Sequence, residues 1–354
     1  MGIFRRRAGK LGVLAALGIA GLAIAVTIAY STSDERTAQA AESQLVTEVP
    51  RRDLPRVLDG VVLESAQVGD FIVVGGNFSQ VELADGTIED VTSAFAYNID
   101  TGEFAHQFTP LLARASGADP EVLAVEPGDN NTVFLGGRFG TVDGHPHNSL
   151  TKINISTGTV ETALNAQVEG DIREIVLSNG RLFVGGDFNA INGADRQNLA
   201  ELNPINGAVQ PFRADITDSS RPEGITFGPR NLSVTPSNIL VVAHRGTTVA
   251  GLDRPGLTLI NLNNNQVLPW RTDFFDDIEI RTIDADVSPD GTLAVLVANG
   301  GDFPFLGRDA AVAFDISATA ATVSQPVWIA RNFDSTYSVA ITDGGLTYAA
   351  TKNR

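Results

Sequence analysis

Along most of the chain, apolar and polar residues alternate over short stretches, and each stretch ends at glycine, asparagine or aspartate. That period of two is the signature of half-buried strands joined by tight turns. The pattern also repeats. "FIVVGGNF" (Phe71 to Phe78), "VFLGGRF" (Val133 to Phe139) and "LFVGGDF" (Leu182 to Phe188) share one core. Each is preceded by an alternating stretch: "GVVLESAQVGD", "EVLAVEPGDNN" or "IREIVLSNGR". Each is followed by a turn-rich gap and then a second shared phrase: "FAYNIDTG", "LTKINISTG" or "LAELNPING". A fourth stretch closes the unit, as in "EFAHQFTP" and "AVQPFRAD".

Two worn copies follow. "NLSVTPSNILVVAHRG" leads to "GLTLINLNNNQVLPWRTD", and "IDADVSPDGTLAVLVANGG" leads to "AAVAFDISATAATVSQPVWIA". "YSVAITDGGLTYAAT" begins a further unit. The units cover about 58–112, 118–166, 168–216, 225–274 and 277–331, with a partial one at 334–354. After Asp34 only a weak "LLARAS" carries a helical period.

Four strands per unit of about fifty residues predict an all-β fold of radial or sandwich type. One small sheet cannot bury both faces, whereas a ring buries each sheet against the next and leaves short edges. The expectation is therefore a β-propeller of about six four-stranded blades, five complete and one partial. A β-helix or tandem sandwiches fit the repeat length less well. The doublets Gly75-Gly76, Gly136-Gly137 and Gly185-Gly186 are expected at the end of the second strand, where neighbouring backbones crowd. Phe78, Phe139 and Phe188 follow each doublet as structural repeat positions. "NIDTG" and "NPING" supply the turn between third and fourth strands.

"LFVGGDFNAINGADRQNLAELNPING" resembles the delta-60-type repeat of exported actinobacterial β-propeller proteins, whose units read roughly "VYVGGxF…NG…LAxLDxxTG". "VSPDGTLAVLVANGG" and "PVWIA…STYSVAIT" are similar to later units of those proteins, in the same order. The likeness covers about residues 58–350. It implies a propeller without assigned catalysis, often with no defined ligand. This chain lacks the cysteine pair of some relatives, and it stops at Arg354 where they continue for a blade or more. The stretch 34–57 is a candidate for a closing strand that pairs the two chain ends.

The first residues break the pattern. Residues 1–10 are basic, with Arg5, Arg6, Arg7 and Lys10, and residues 11–33 carry no charge. As a helix, such a run spans about 30 Å, enough for a bilayer. It reads as an uncleaved single-pass anchor, or as a signal core cleaved near "AQA" at Ala38 to Ala40. Either way the basic end stays in the cytoplasm and the rest is outside, at the cell membrane or secreted. All 42 acidic residues follow the run, so the exported part is more acidic than the net −17 of the whole chain. That charge repels nucleic acid, and no nucleic-acid partner is expected. The chain has no cysteine, which excludes disulfides and thiol chemistry.

Candidate chemistry is sparse. His145 and His147 could place two imidazoles on one side of an extended segment, but no third ligand is marked. Asp284, Asp286 and Asp290 loosely resemble a calcium loop without its spacing, as do Asp85, Glu89 and Asp90. The glycine doublets lack the lysine and following helix of a phosphate loop, and no G-x-S-x-G is present. No catalytic, metal or cofactor-binding residue is therefore assigned. Aromatic residues recur at the fourth strand (Phe108, Phe212, Trp270, Trp328), where packing between units is the first expectation and a carbohydrate platform the second. The expected function is a non-catalytic binding or scaffolding module facing a cell-surface protein or glycan. The alternative is a secreted polysaccharide-active hydrolase or lyase, marked by clustered carboxylates at the channel mouth.

Overall fold

The computed structural model describes residues 16–17, 24–25, 51–218, 226–276, 281–299, 309–318, 320–331, 336–342, 345 and 347–351. Among them every regular element is a strand. "LLARAS" is no exception, since Leu112–Ala113 is a strand.

Six antiparallel sheets follow one another along the chain. Sheet one is Val62–Val68, Phe71–Gly76 and Ala94–Asn98. Sheet two is Glu121–Pro127, Thr132–Arg138 and Leu150–Asn154. Sheet three is Val168–Ser178, Arg181–Ile191 and Leu199–Leu202. In these three the fourth strand shrinks to a single bridge: Tyr97 to Phe104, Ile153 to Val160, and Leu202 to Val209. Sheet four is Pro229–Val234, Ile239–His244, Leu257–Asn261 and Gln266–Val267. Sheet five is Arg281–Val287, Leu293–Asn299, Ala310–Asp315 and Trp328–Arg331. Sheet six contains Thr336–Ile341 and Thr347–Thr351.

The first strand of each sheet packs against the first strand of the next. The glycine doublets show how. A Cβ on Gly75 would lie 2.5 Å from Val122 and 2.9 Å from Val125 of the following sheet. Gly136 meets Ile172 and Ile175 in the same way, and Gly185 meets Pro229 and Leu232. The second glycine has a different task. A Cβ on Gly76, Gly137 or Gly186 would lie 2.0–2.1 Å from the carbonyl oxygen of Val61, Glu121 or Asp171, in or beside its own sheet's first strand. The first glycine therefore admits the neighbour, and the second admits the pairing strand. Phe78, Phe139 and Phe188 are buried just beyond.

Fourth-strand aromatics finish the seams. Phe108 packs with Val133, Leu135 and Ile153 of the next sheet. Phe212 stands edge-on to Phe183, with ring centroids 5.3 Å apart. Trp270 stands edge-on to Phe314 and donates its indole N–H to the Asp315 carbonyl. Phe108, Phe212 and Trp270 are thus buried in packing between units. Trp328, partly buried, packs against the cluster around Val295 and Val297. The turn phrases also fold alike. The Asn98, Asn154 and Asn203 side-chain oxygens accept backbone N–H groups two and three residues on. Each turn closes on a glycine in the left-handed region, such as Gly158 at φ +70°.

Connectors between sheets follow one plan. Leu112–Ala113 pairs with Thr141–Val142, and Ile216–Thr217 with Thr248–Val249, so the incoming chain joins a loop of the sheet it is about to enter. Arg56–Val57 does the same with Gln80–Glu82. The described end of the 34–57 stretch is therefore used at sheet one. Residues 34–50 lie outside the described residues, as do 1–10 and most of 11–33. Of the apolar run only Ala16–Leu17 and Ile24–Ala25 are described, as two-residue strands, the second beside Thr347–Thr351. No described helix is long and apolar enough to cross a membrane.

Six first strands around a common hub, each sheet leaning on the next, make the arrangement radial and propeller-like.

Candidate functional site

All six first strands carry a β-bulge at the same place. The register shifts fall between Val62 and Glu64, Val122 and Ala124, Ile172 and Glu174, Pro229 and Asn231, Thr282 and Asp284, and Thr336 and Ser338. A bulge re-aims the side chains beside it. Here the six bulges surround one cavity of about 380 Å³, within the range of small-ligand sites. The bulged residues Leu63, Leu123, Arg230, Ile283 and Tyr337 line it. So do Glu64, Glu174, Asp284 and Ser338, each one step beyond its bulge.

The hub is charged, and its acids are unequal. Asp284 accepts backbone N–H bonds from Val339 (3.0 Å) and Ala285 (2.8 Å), yet burial still pushes its carboxyl up to about 6. Glu64 is held up to about 7 by burial, although its side chain also touches water, which screens its charge. Glu174 is raised well above the usual carboxylate range, first by burial and then by Glu64 and Asp284. Its side chain is half-buried and open in part to the cavity.

Glu174 accepts no hydrogen bond from any described residue, and its cationic neighbours explain why. Arg173 donates to Asp187, and Arg230 lies 3.9 Å from the same carboxylate while bonding Thr226 and the Pro229 carbonyl. Asp187 is the variable residue of "GGDF", so the repeat itself holds Arg173, while Arg230 still lines the cavity. Burial lowers Arg230 to about 9.

A second carboxylate position works at the seams. Glu126 accepts the Leu177 N–H at 2.7 Å, and Asp286 accepts the Ile341 N–H at 2.7 Å. These two contacts are equivalent, counted from the bulge: each reaches from one first strand to the edge of the next. First strands expose an unpaired edge to the hub, and these carboxylates satisfy part of it. Burial raises Glu126 to about 7.

The metal candidates do not converge. His145 is exposed on a short hairpin and His147 is buried beside it. Asp290 bonds Ser288 and Thr292 within its own turn, while Asp284 and Asp286 face the next sheet. Asp85 caps Thr87, Glu89 lies 3.6 Å from His106, and Asp90 accepts from Gln80. Among the described residues no group of three His, Asp or Glu side chains could hold a metal ion. The hub acids Glu64, Glu174 and Asp284 went unassigned in the sequence. Their signal was present, an acid at the same offset from the glycine doublet in units one and three, but it shows only once the bulge fixes the register.

No protein-family model matches the chain, and no curated protein does. Among solved structures, the β-propeller domain of Cps50 (Swd1) from Myceliophteria thermophila is similar at 9% identity and TM-score 0.48, over 85% of this chain and 83% of that one. A chain of a mitotic checkpoint complex is similar at 10% identity and TM-score 0.45, over 92% of this chain and 98% of that one.

Proposed function

We propose that the chain is a six-bladed β-propeller acting as a binding or scaffolding module, with its ligand site at the hub. One observation carries this: six equivalent bulges converge on a single polar cavity, and one carboxylate in it has no partner. The basic start and uncharged run of the sequence support export, either tethered at the cell membrane or released after cleavage. A cell-surface protein or glycan is then the expected partner. Retention in membranes after alkaline extraction distinguishes the tether from release.

The clustered carboxylates Glu64, Glu174 and Asp284 favour a second reading, a hydrolase or lyase acting on a polysaccharide. A carboxyl held protonated by burial is the equipment of a general acid.

Both readings meet in one experiment. Full-length protein and Ser338→Trp, which fills the cavity from an exposed position, are presented with cell-envelope extract. Binding predicts a retained species that the variant loses at least tenfold, with unchanged melting temperature. Retention indifferent to the variant, or no retention, overturns the hub as the site. New reducing ends released by the wild type and not by Glu174→Gln would replace binding with hydrolysis.

A further inference from the structure

A second cavity, of about 560 Å³, lies away from the hub at the entry to sheet one. Arg51, Arg52, Leu54 and Arg56 form one wall, Leu83 and Ala84 the other. Both walls are fixed. The Asp53 carbonyl oxygen sits where a Cβ on Gly102 would come within 2.2 Å, and Arg56–Val57 pairs with Gln80–Glu82. The facing turn is closed by the Gly86 N–H, which donates to the Leu83 carbonyl at 3.0 Å. Three guanidinium groups therefore meet in one cleft of a chain whose net charge is −17. Arg51 is committed to Asp53 and to the carbonyls of Ile99 and Asp100. Arg56 donates two N–H groups to Glu82 and keeps its others. Arg52 makes no hydrogen bond or ion pair with a described residue. Asp85, in the facing turn, directs an oxygen to the Thr87 N–H and does not line the cleft. The repeat does not demand this cluster. The residue just before the one that pairs with Val81, Val142, Ile191 or Val249 is Arg56, Leu111, Gln167 or Asp215 in sheets one to four.

We propose that this cleft binds a phosphate ester, with Arg52 and Arg56 donating to its oxygens while the carbons of the ester lie on Leu54, Leu83 and Ala84. The site is separate from the hub and does not depend on the hub being a ligand site. A guanidinium fork matches a pair of phosphate oxygens, and a tetrahedral group accepts from two forks at different angles, where a planar carboxylate offers only two oxygens. Fixed walls lower the ordering cost of binding. The acidity of the remaining chain is screened beyond about 8 Å at physiological salt, so the donors in the cleft decide. A soluble phosphomonoester and the phosphodiester headgroup of an anionic lipid share this chemistry.

Calorimetry on the full-length protein at pH 7.5 in low salt uses glycerol phosphate, glycerophosphoglycerol and inorganic phosphate as probes. At least one ester binds, and inorganic phosphate, which leaves Leu54 and Leu83 uncovered, binds at least fivefold more weakly. Binding of the diester marks a lipid headgroup as the source, and binding of the monoester alone marks a soluble ester. Arg52→Gln weakens the bound ester at least fivefold. Ala84→Trp, which fills the cleft from an exposed position, weakens it at least tenfold, and neither variant shifts the melting temperature. Arg114→Gln, an arginine outside the cleft, leaves affinity unchanged, as does Ser338→Trp at the hub. Absence of binding by both esters would overturn the proposal, and so would affinity indifferent to Ala84→Trp and Arg52→Gln. Equal loss in Arg114→Gln would reduce the effect to general charge, and loss in Ser338→Trp would move the ester to the hub; either result overturns the cleft as the site. Inorganic phosphate bound as tightly as the esters would overturn the role of the apolar wall.

Discussion

Val62 and Val122 occupy the same place in their sheets. Each stands opposite the second glycine of its own doublet, immediately before the bulge. Yet Val122 is fully buried against Gly75 of the preceding sheet, and Val62 is 46% exposed. Three residues on, Val125 is buried and its counterpart is Ser65, which is exposed. Val61 and Leu63 flank Val62 and are exposed too. The same strand, with nearly the same apolar pattern, is therefore core in sheet two and surface in sheet one. A strand's pattern says which face wants burial; only the ring says whether a neighbour is there to bury it. Stability should accordingly be uneven around the ring, high at the seams of sheets one to four and low at the outer face of sheet one.

The contrast can be broken most forcefully at a seam glycine. Gly136→Ala drives a Cβ to 2.5 Å from Ile172 and 2.9 Å from Ile175 of the next sheet, where the strands already pack closely. A loss of about 3 kcal/mol or more in denaturant unfolding is expected. Gly86→Ala, with open space around it and φ at +86°, should lose only about 1–2 kcal/mol from backbone strain. Equal losses would mean that the doublets do not govern the seams.

Truncating the paired valines sharpens the comparison. Val122→Ala should cost about 2 kcal/mol, the transfer and cavity cost of a buried side chain. Val62→Ala should stay within about 0.5 kcal/mol, as surface changes do. A large loss at Val62 would show that its face is covered in solution.

The smallest effect is a pH dependence. Burial raises Glu126 to about 7 in the fold, against roughly 4.3 for a free glutamate. The folded state therefore holds its proton more tightly. The associated stability is present below pH 4 and is lost as pH rises through 7. Glu64 behaves in the same sense, and as an exposed group contributes less. Glu126→Gln keeps an acceptor for the Leu177 N–H and removes the titration. Its melting temperature should fall less between pH 5 and 8 than that of the wild type, by about 2 °C or more. Identical slopes would place the titration elsewhere.

Much of the architecture is legible in the residues. The doublets mark where two backbones approach, the "NIDTG" phrase folds as the turn that its asparagine and glycine dictate, and the recurrent aromatics are buried between units. The hub is harder to read, because a bulge is a matter of register between two strands and leaves no residue of its own in the sequence. Asp284 and Asp286 illustrate this. As a string they resemble a poor calcium loop, but after the bulge they become acceptors for the backbone of Thr336–Ile341.

Counting from the bulge, the residue before it is buried in sheets two to six, whereas the residue after it is Glu64, Ala124, Glu174, Asn231, Asp284 and Ser338 in turn. Acid, amide, hydroxyl and methyl all serve there. On the proposed reading of the hub as the ligand site, construction and recognition are separate: what the centre attracts can drift by single substitutions while the strands around it are left undisturbed.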